Sequence, residues 1–213
     1  MRAAAATAAL GRPRTLASGL AVLAAVWVWP LPALGLPPFS AHMTMHVAVV
    51  AVAAPLVAAG LAGGRLDPVI RRPDAFPPIV ASMLELVAVW SWHAPALHHL
   101  ARHTTAGLVL EQATFLLSGL FLWMSALGGG RALRRRRSTG GLTGLLLTSM
   151  HMTLLGALLT LPGRPLYAHH DHAWLSATHD QQLGGAIMLL VGGGAYLLGA
   201  LGLLRESLAE EAP

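Results

Sequence analysis

Residues 15–64 contain no Asp, Glu, Lys or Arg, and this uncharged stretch restricts the possible folds more than any other feature of the chain. A water-facing surface needs charged side chains, which make up roughly 25% of a soluble domain. In this chain they make up only 11%. Apolar runs of about twenty residues recur along the sequence, which is the length that crosses ~30 Å of hydrocarbon as a helix. The sequence therefore predicts a single all-α domain over residues 1–213, a polytopic transmembrane helix bundle in the lipid bilayer.

Six apolar segments are long enough to span a bilayer, and a proline-rich stretch separates the first two. The first span also resembles a secretory signal peptide, because an arginine-bearing start precedes its apolar stretch. Cleavage there would leave five spans with the same orientation. The six predicted spans cover about residues 15–36, 41–62, 77–96, 105–127, 142–161 and 181–204.

The fourteen basic residues are all arginines, and they lie in the short segments between the apolar runs. With the N-terminus in the cytoplasm, only Arg102 and Arg164 fall on the outer side, and the other twelve fall inside. Cytoplasmic loops of membrane proteins carry this excess of positive charge. We therefore predict both termini inside and a multi-pass location in the plasma membrane. The arginines act as orientation signals, so no nucleic acid partner is expected.

Eleven histidines are present, and this topology places ten of them in outer loops or at outer helix ends. The exception, His151, lies near the middle of the fifth span. Cysteine is absent, so any bound metal must be held by His, Met, Asp, Glu or backbone atoms. The ten outer histidines are His42, His46, His93, His98, His99, His103, His169, His170, His172 and His179.

The segment His42-Met43-Thr44-Met45-His46 has the most specific pattern. Two histidines four residues apart lie on one helix face, and the two methionines flank that face. Imidazole together with thioether suits copper, and thioether favours Cu(I). The alternative is a helix start that uses histidine as an interfacial polar residue and methionine for packing. Our candidate metal ligands are His42, His46, His93, His151 and Asp180, the last of which is alternatively the N-cap of its own helix.

Five further polar residues allow more than one interpretation. His98, His99 and His103 form either a solvated polar segment or a low-affinity capture patch for metal ions, and replacing His98 is expected to have little effect on metal binding. Glu85 and Glu111 are intramembrane carboxylates, which are costly unless they are paired or protonated. Each is either a ligand or proton-relay group, or a hydrogen-bonded structural residue.

Three segments, FSAHMTMH, WSWHAPALHHL and LSATHDQQLGGAIM, contain the motifs HMxxH, WHxP and DQQxGG in that order. This combination resembles the bacterial CtaG family, integral-membrane assembly factors linked to caa-type cytochrome c oxidase, over roughly residues 39–200. Gln112 departs from the pattern, in which a histidine often follows the glutamate. The positions that match the family pattern are His42, Met43, His46, Trp92, His93, Pro95, Asp180, Gln181, Gln182 and Gly185.

The resemblance implies a non-enzymatic role in maturing a haem–copper oxidase, in which the protein binds or delivers copper at the outer face to oxidase subunits. Three other classes of function stay open on the residues alone. A membrane haem protein would use two histidines from facing helices. A zinc-dependent membrane hydrolase would use three ligands and a water, with Glu85 or Glu111 as the base. A copper transporter would need a path through the histidine-free inner half.

Overall fold

The computed structural model describes the backbone of residues 2–28, 35–167 and 175–209, and the side chains of these ranges from residue 13 onward. The described residues form nine α-helices and a single 3-10 turn, Pro73–Ala75, with no strand among them. The helices are α1 Arg2–Val28, α2 Pro38–Leu61, α3 Pro68–Arg71, α4 Pro78–His93, α5 Pro95–His103, α6 Thr105–Leu127, α7 Arg131–Arg136, α8 Ser138–Thr160 and α9 Ala177–Ala209.

Five segments are long and apolar enough to cross a membrane. They are the helices α2, α6, α8 and α9 and the segment Pro73–His93, which contains α4. They correspond to five of the six predicted spans, and the predicted all-α membrane bundle is confirmed. The apolar part of α1, Pro13–Val28, is shorter. At 1.5 Å per residue it measures about 24 Å. The first span therefore stays a prediction, and residues 29–34 of its predicted range lie outside the described residues.

Helix α1 packs closely on α2 because glycines lie at their contacts. A Cβ atom added at Gly60 would come within 2.7 Å of Leu16, and one added at Gly19 within 2.8 Å of Val57. Small residues allow such close backbone approach between helices in lipid, where packing rather than the hydrophobic effect drives association. The first helix is thus fixed beside the helix that carries the HMxxH motif.

Two of the long helices contain a wide π-helical turn, at Ala48–Ala53 in α2 and at Met188–Gly193 in α9. A carbonyl within each turn accepts a side-chain hydrogen bond from another helix. The carbonyl of Val50 accepts from the indole of Trp123 at 2.9 Å and from the hydroxyl of Tyr196 at 3.2 Å, and that of Gly193 accepts from Ser149 at 2.8 Å. Backbone groups in the membrane must be satisfied internally, and these bonds do so.

The end of the bundle that carries Arg65, Arg71, Arg72 and Arg131–Arg137 is called the arginine end. Asp67 joins its loops, because it accepts hydrogen bonds from the backbone N–H groups of Gly63 at 2.7 Å, Val69 at 2.9 Å and Gly129 at 2.6 Å. Gly63 and Gly129 have φ of 70° and 83°, a region that favours glycine. Arg137 donates a hydrogen bond to the carbonyl of Phe76, and burial lowers the pKa of its guanidinium.

Candidate metal centre at the histidine end of the bundle

The antiparallel order of the helices brings the predicted site residues together at the opposite end, called the histidine end. Helices α2, α6 and α9 begin there and α4 ends there. His42, His46, His93 and Glu111 are all buried, with exposures of 2%, 0%, 5% and 0%. The ring centroids of His42 and His93 are 6.0 Å apart, and those of His46 and His93 are 5.5 Å apart. The spacing of residues in the sequence predicts only that His42 and His46 lie together, and the fold brings His93 beside both of them.

His93 is oriented by its own helix. Its Nδ1 donates a hydrogen bond to the carbonyl of Val89 at 2.6 Å, which makes Nε2 the nitrogen with the lone pair. That Nε2 is buried and has no hydrogen-bond partner among the described residues. Metal-binding histidines commonly have one ring nitrogen anchored in this way while the other faces the ion. The neighbouring Trp92 fixes this end of α4 to α6 by donating to the hydroxyl of Thr114 at 2.8 Å.

His42 and His46 supply four more buried nitrogens. None of the four has a hydrogen-bond partner in the described part of the chain. The nearest charged group is Glu111, whose Oε2 lies 3.7 Å from Nδ1 of His42. Leaving a buried polar group unsatisfied costs about 1–3 kcal/mol, so clustered cases call for an explanation. A neutral imidazole has one nitrogen with a lone pair, and a metal ion accepts that lone pair in place of a hydrogen-bond donor, so each of these rings can supply one donor atom.

Glu111 is connected to two other helices. Arg102 of α5 donates a hydrogen bond to its carboxylate, and Gln112 donates to Oε2 at 3.2 Å. The side-chain oxygen of Gln112 in turn accepts from the indole of Trp27 in α1 at 3.2 Å. The residue that departs from the family pattern therefore links the first helix to the carboxylate beside His42.

Two aromatic residues cover the cluster, and we call Phe39 and Tyr167 the aromatic lid. Their rings stack at a centroid distance of 4.9 Å, and the ring of Phe39 lies 6.4 Å from that of His42. The hydroxyl of Tyr167 donates to the carbonyl of His93 at 2.7 Å. Burial raises the pKa of Tyr167 to about 12, so this hydroxyl keeps its proton through the neutral range. Both residues of the lid are themselves buried, with exposures of 1% for Phe39 and 6% for Tyr167.

Asp180 contacts the start of α2. Its carboxylate accepts hydrogen bonds from the N–H groups of Phe39 and Ser40, both at 2.8 Å, and from the hydroxyl of Ser40. A carboxylate at a helix N-terminus satisfies free N–H groups and complements the helix dipole. The N-cap of its own helix is Ser176, so the alternative reading of Asp180 as that cap is wrong. Because both oxygens are engaged by α2, Asp180 positions the residues before His42, and its ligand role stays a prediction.

The rest of the DQQxGG motif fixes α9 to its neighbours. Gln181 donates to the carbonyl of Leu159 at 3.0 Å and accepts from the N–H of Leu166 at 2.6 Å, which holds the segment leading to Tyr167. A Cβ atom at Gly184 would lie 2.5 Å from the ring of Phe39. The motif therefore secures the lid and the start of α2, a structural function that its sequence did not indicate.

His151 approaches from α8 and is 6% exposed. It lies close enough to His46 for the two rings to repel each other if both were protonated, and neither of its nitrogens has a hydrogen-bond partner in the described ranges. Of its two flanking methionines, Met152 is buried and Met150 is 67% exposed. His151 thus borders the deep side of the cluster, and its ligand role stays a prediction.

The methionines of the HMxxH motif contact other parts of the bundle. The Cγ atom of Met43 lies 2.9 Å from the position that a Cβ atom would take at Gly184. Met45 lines a groove with Trp27 and Gln112. These contacts give both side chains a packing role, which was the alternative reading of the motif. Ligation of a metal ion by either thioether stays a prediction.

His98 is a member of the cluster that sequence reasoning missed. It is 2% exposed, and its ring centroid lies 5.1 Å from that of His42 and 4.2 Å from that of Tyr167. The interpretation of His98 as a solvated residue is wrong, whereas His99 and His103 are exposed as expected. The available signal was the spacing of His98 and Ala101 on one face of α5. His169, His170 and His172 lie outside the described residues, and His179 is exposed.

The donors at the histidine end are arranged as neighbouring pairs. Within residues 35–167 and 175–209, no group of three or more His, Asp or Glu side chains is placed to hold one ion. Two imidazoles on a common ion have ring centroids roughly 5–6.5 Å apart, given a metal–nitrogen distance near 2.0 Å. The pairs His42–His98, His46–His93 and His42–His93 fall in this range, at 5.1, 5.5 and 6.0 Å.

The fold and the site together define a class of protein, an integral-membrane helix bundle with a buried imidazole cluster beneath an aromatic lid at one end. The model of the family of cytochrome c oxidase caa3 assembly factors matches residues 1–210, and the chain belongs to this family. The resemblance inferred from the three motifs is therefore confirmed. No curated protein and no solved structure matches the chain. Family membership indicates oxidase assembly, a non-catalytic role with an oxidase as partner.

Proposed function

We propose that this protein binds Cu(I) at His42, His46 and His93 and delivers it to a subunit of cytochrome c oxidase caa3 in the plasma membrane. One observation carries the proposal: five buried imidazole nitrogens, two each from His42 and His46 and Nε2 of His93, lack hydrogen-bond partners within the described residues. Imidazole is a good ligand for copper. Membership of an oxidase assembly family supports the oxidase as the recipient.

The arrangement suits transfer better than permanent storage. Pairs of imidazoles hold an ion with few ligands, and an incoming donor from the recipient subunit can then replace them one at a time. Glu111 places a carboxylate 3.7 Å from His42, and an arriving cation would share this carboxylate with Arg102. The bond from His93 to Val89 keeps Nε2 directed while the ion exchanges. Copper is cargo in this scheme, and the protein contributes donors, charge and shielding from water.

The packing around the imidazoles favours an ion over a haem. The ring of Phe115 lies 4.1 Å from that of His46 and 6.4 Å from that of His93, centroid to centroid. A macrocycle between facing histidines would require the space that this ring occupies. The two candidate bases of a zinc hydrolase are also engaged, since Glu111 accepts from Arg102 and Glu85 accepts from the hydroxyl of Tyr196.

Copper titration of the purified protein tests the proposal directly. Wild-type protein in detergent, titrated with Cu(I) under reducing conditions, should bind about one ion per chain. Replacing His42, His46 or His93 by Ala should each weaken binding by at least about tenfold, because each change removes one of the three proposed ligands. His99→Ala is the control, since this histidine is exposed. If His42→Ala and His46→Ala fold normally and keep wild-type copper binding, the copper proposal is wrong.

The recipient is tested in cells. Deleting the gene should lower haem–copper oxidase activity while oxidase transcripts remain at their normal level, and added copper should partly restore activity. The deletion strain is complemented with the wild-type gene as control and with His42→Ala as the site variant. Unchanged oxidase activity in the deletion strain at limiting copper would contradict an assembly role for this chain, whatever the purified protein binds.

A further inference from the structure

We propose that His98 is a copper ligand and that the site has two adjoining positions. The outer position is the pair His42 and His98, and the inner position is the pair His46 and His93. This inference rests on the proposed copper function and specifies how the ion reaches the cluster. Three observations carry it: the burial of His98, the distances between the rings, and the order of the pairs in depth.

Burial distinguishes His98 from its neighbours on α5. His98 and Ala101 are 2% exposed, whereas His99 and His103 are exposed to the surroundings and stack on each other at a centroid distance of 4.0 Å. A short helix that lies over the end of the bundle therefore turns one of its three histidines inward.

The distances place His98 with His42. Their ring centroids are 5.1 Å apart with an interplanar angle of 75°, which is the spacing of two imidazoles on a common ion. The ring of His46 lies 5.5 Å from that of His93, and the link between the pairs, His42 to His93, is 6.0 Å. An ion can thus exchange one imidazole at a time from the outer pair to the inner pair.

The residues around the two pairs show which pair lies nearer the histidine end of the bundle. Both rings of the outer pair contact the lid, since Phe39 lies 6.4 Å from His42 and 5.7 Å from His98. The inner pair contacts Phe115 instead, which follows Glu111 by one helical turn. His42 precedes His46 by one turn of α2, about 5–6 Å along the axis. The outer pair therefore lies directly beneath the lid, and an ion arriving from the histidine end meets it first.

Charge at this spacing favours one ion that samples both positions. Two cations 5–6 Å apart in a medium of low dielectric constant repel each other, and one carboxylate, Glu111, lies beside the outer pair, where Arg102 already contacts it. Saturation at about one ion per chain is therefore expected even with four histidines present. The two positions differ in role: His98 sets the rate of uptake, whereas the inner pair sets the affinity together with His42, which links the two pairs.

The test separates rate from affinity with matched variants. His98→Phe keeps a ring against Tyr167 and removes both nitrogens, and His99→Phe is the same change at the exposed neighbour. Cu(I) uptake from a coloured chelator is followed by stopped flow, and affinity by equilibrium competition with the same chelator. His98→Phe should slow uptake at least about tenfold and keep about one ion at saturation. His46→Ala should show the reverse, with fast uptake and weak retention, and His99→Phe should behave as wild type.

Each outcome has a distinct meaning. If His98→Phe takes up Cu(I) at the wild-type rate, His98 is a packing residue and the two-position site is wrong, while the copper proposal survives. If wild-type protein binds no Cu(I), both proposals are wrong. If His98→Phe does not fold, His98→Gln takes its place in the test, because it removes the imidazole and introduces a smaller, polar side chain. If His99→Phe slowed Cu(I) uptake as much as His98→Phe, the inference would also be wrong, because the effect would not depend on the burial of the replaced histidine.

Discussion

Single hydrogen bonds at the start of α2 decide where the HMxxH histidines lie. Asp180 holds the N–H groups of Phe39 and Ser40, and His42 follows two residues later on the same helix. Phe39 is also half of the lid, so one carboxylate holds both a lid residue and the backbone that precedes His42. The bonds are charge-assisted and buried, which makes them stronger than ordinary surface hydrogen bonds.

Asp180→Asn tests this positioning role. The variant keeps the size of the side chain but replaces one acceptor oxygen by a donor that faces the N–H groups of α2. We expect a loss of about 1–3 kcal/mol in the free energy of unfolding, measured by thermal or denaturant unfolding in detergent. Ser40→Ala, which removes only the hydroxyl bond, should lose about 0.5–1.5 kcal/mol. Loss of copper from Asp180→Asn with unchanged stability would instead favour a ligand role for Asp180.

At the residue scale, helical spacing predicted that the two histidines of one helix lie together, and it did not predict that His98 lies beside them. His42 and His46 are four residues apart, so helical periodicity alone places them together. His98 lies on a different short helix, and its direction depends on how α5 crosses the end of the bundle. That crossing follows from the turn at Ala94-Pro95 and from packing against Tyr167, neither of which has a sequence pattern that fixes an angle.

At the scale of helices, close contacts between α2, α8 and α9 hold the site. A Cβ atom at Gly156 would lie 2.7 Å from the backbone of Leu189, and one at Gly185 would lie 2.7 Å from the carbonyl of Gly156. Small residues allow this close approach of two helices in lipid. The two π turns were not predicted, because a wide turn arises from packing and from donors on other helices rather than from local composition.

Two glycines of α9 give a matched pair for testing helix packing. Gly184→Ala places a methyl group 2.5 Å from the ring of Phe39, so α2 and α9 must separate or the lid must move. We expect a loss of about 1–3 kcal/mol in unfolding free energy, together with weaker copper binding. At Gly202 an added Cβ atom meets no described atom within 4 Å. Gly202→Ala should therefore be neutral or stabilise by up to about 1 kcal/mol through helix propensity.

The polar cluster around the π turn of α2 gives a second prediction at this scale. Tyr196 donates to Glu85, a fully buried residue, and lies 3.2 Å from the carbonyl of Val50. Tyr196→Phe leaves the carboxyl group without this donor and should cost about 1–3 kcal/mol of unfolding free energy. In a double-mutant cycle with Glu85→Gln, the two losses should not add, because the partners share one interaction. Additive losses would show that the pair is not coupled.

At the scale of the whole molecule, the two ends of the bundle differ in chemistry. The histidine end buries imidazoles under aromatic rings, and the arginine end joins its loops through Asp67 and an ion pair of 3.0 Å between Arg134 and Glu206. Hydropathy predicted five of the spans and which residues share an end, since helices that alternate in direction bring every second loop together. The contacts of the helices with one another and with the lid depend on packing, and no pattern in a single sequence specifies them.

Orientation in the membrane is the prediction on which delivery from the histidine end depends. Twelve of the fourteen arginines lie at segments predicted to be cytoplasmic, and Arg131–Arg137 form the densest group. Positive charge is retained on the cytoplasmic side during insertion, so the arginine end should face inward and the histidine end outward. A reporter fused after Arg137 should read cytoplasmic, and one fused near His170, outside the described residues, should read external.

A charge variant supplies the control for this topology experiment. Replacing Arg134, Arg135 and Arg136 by Gln removes part of the orientation signal without touching the histidine cluster, so it should raise the fraction of chains inserted in the opposite direction. If the wild-type reporters instead read external after Arg137 and cytoplasmic near His170, the imidazoles open toward the cytoplasm. Copper would then have to come from the cytoplasmic pool, and delivery at the outer face would be wrong even if the same histidines bind the ion.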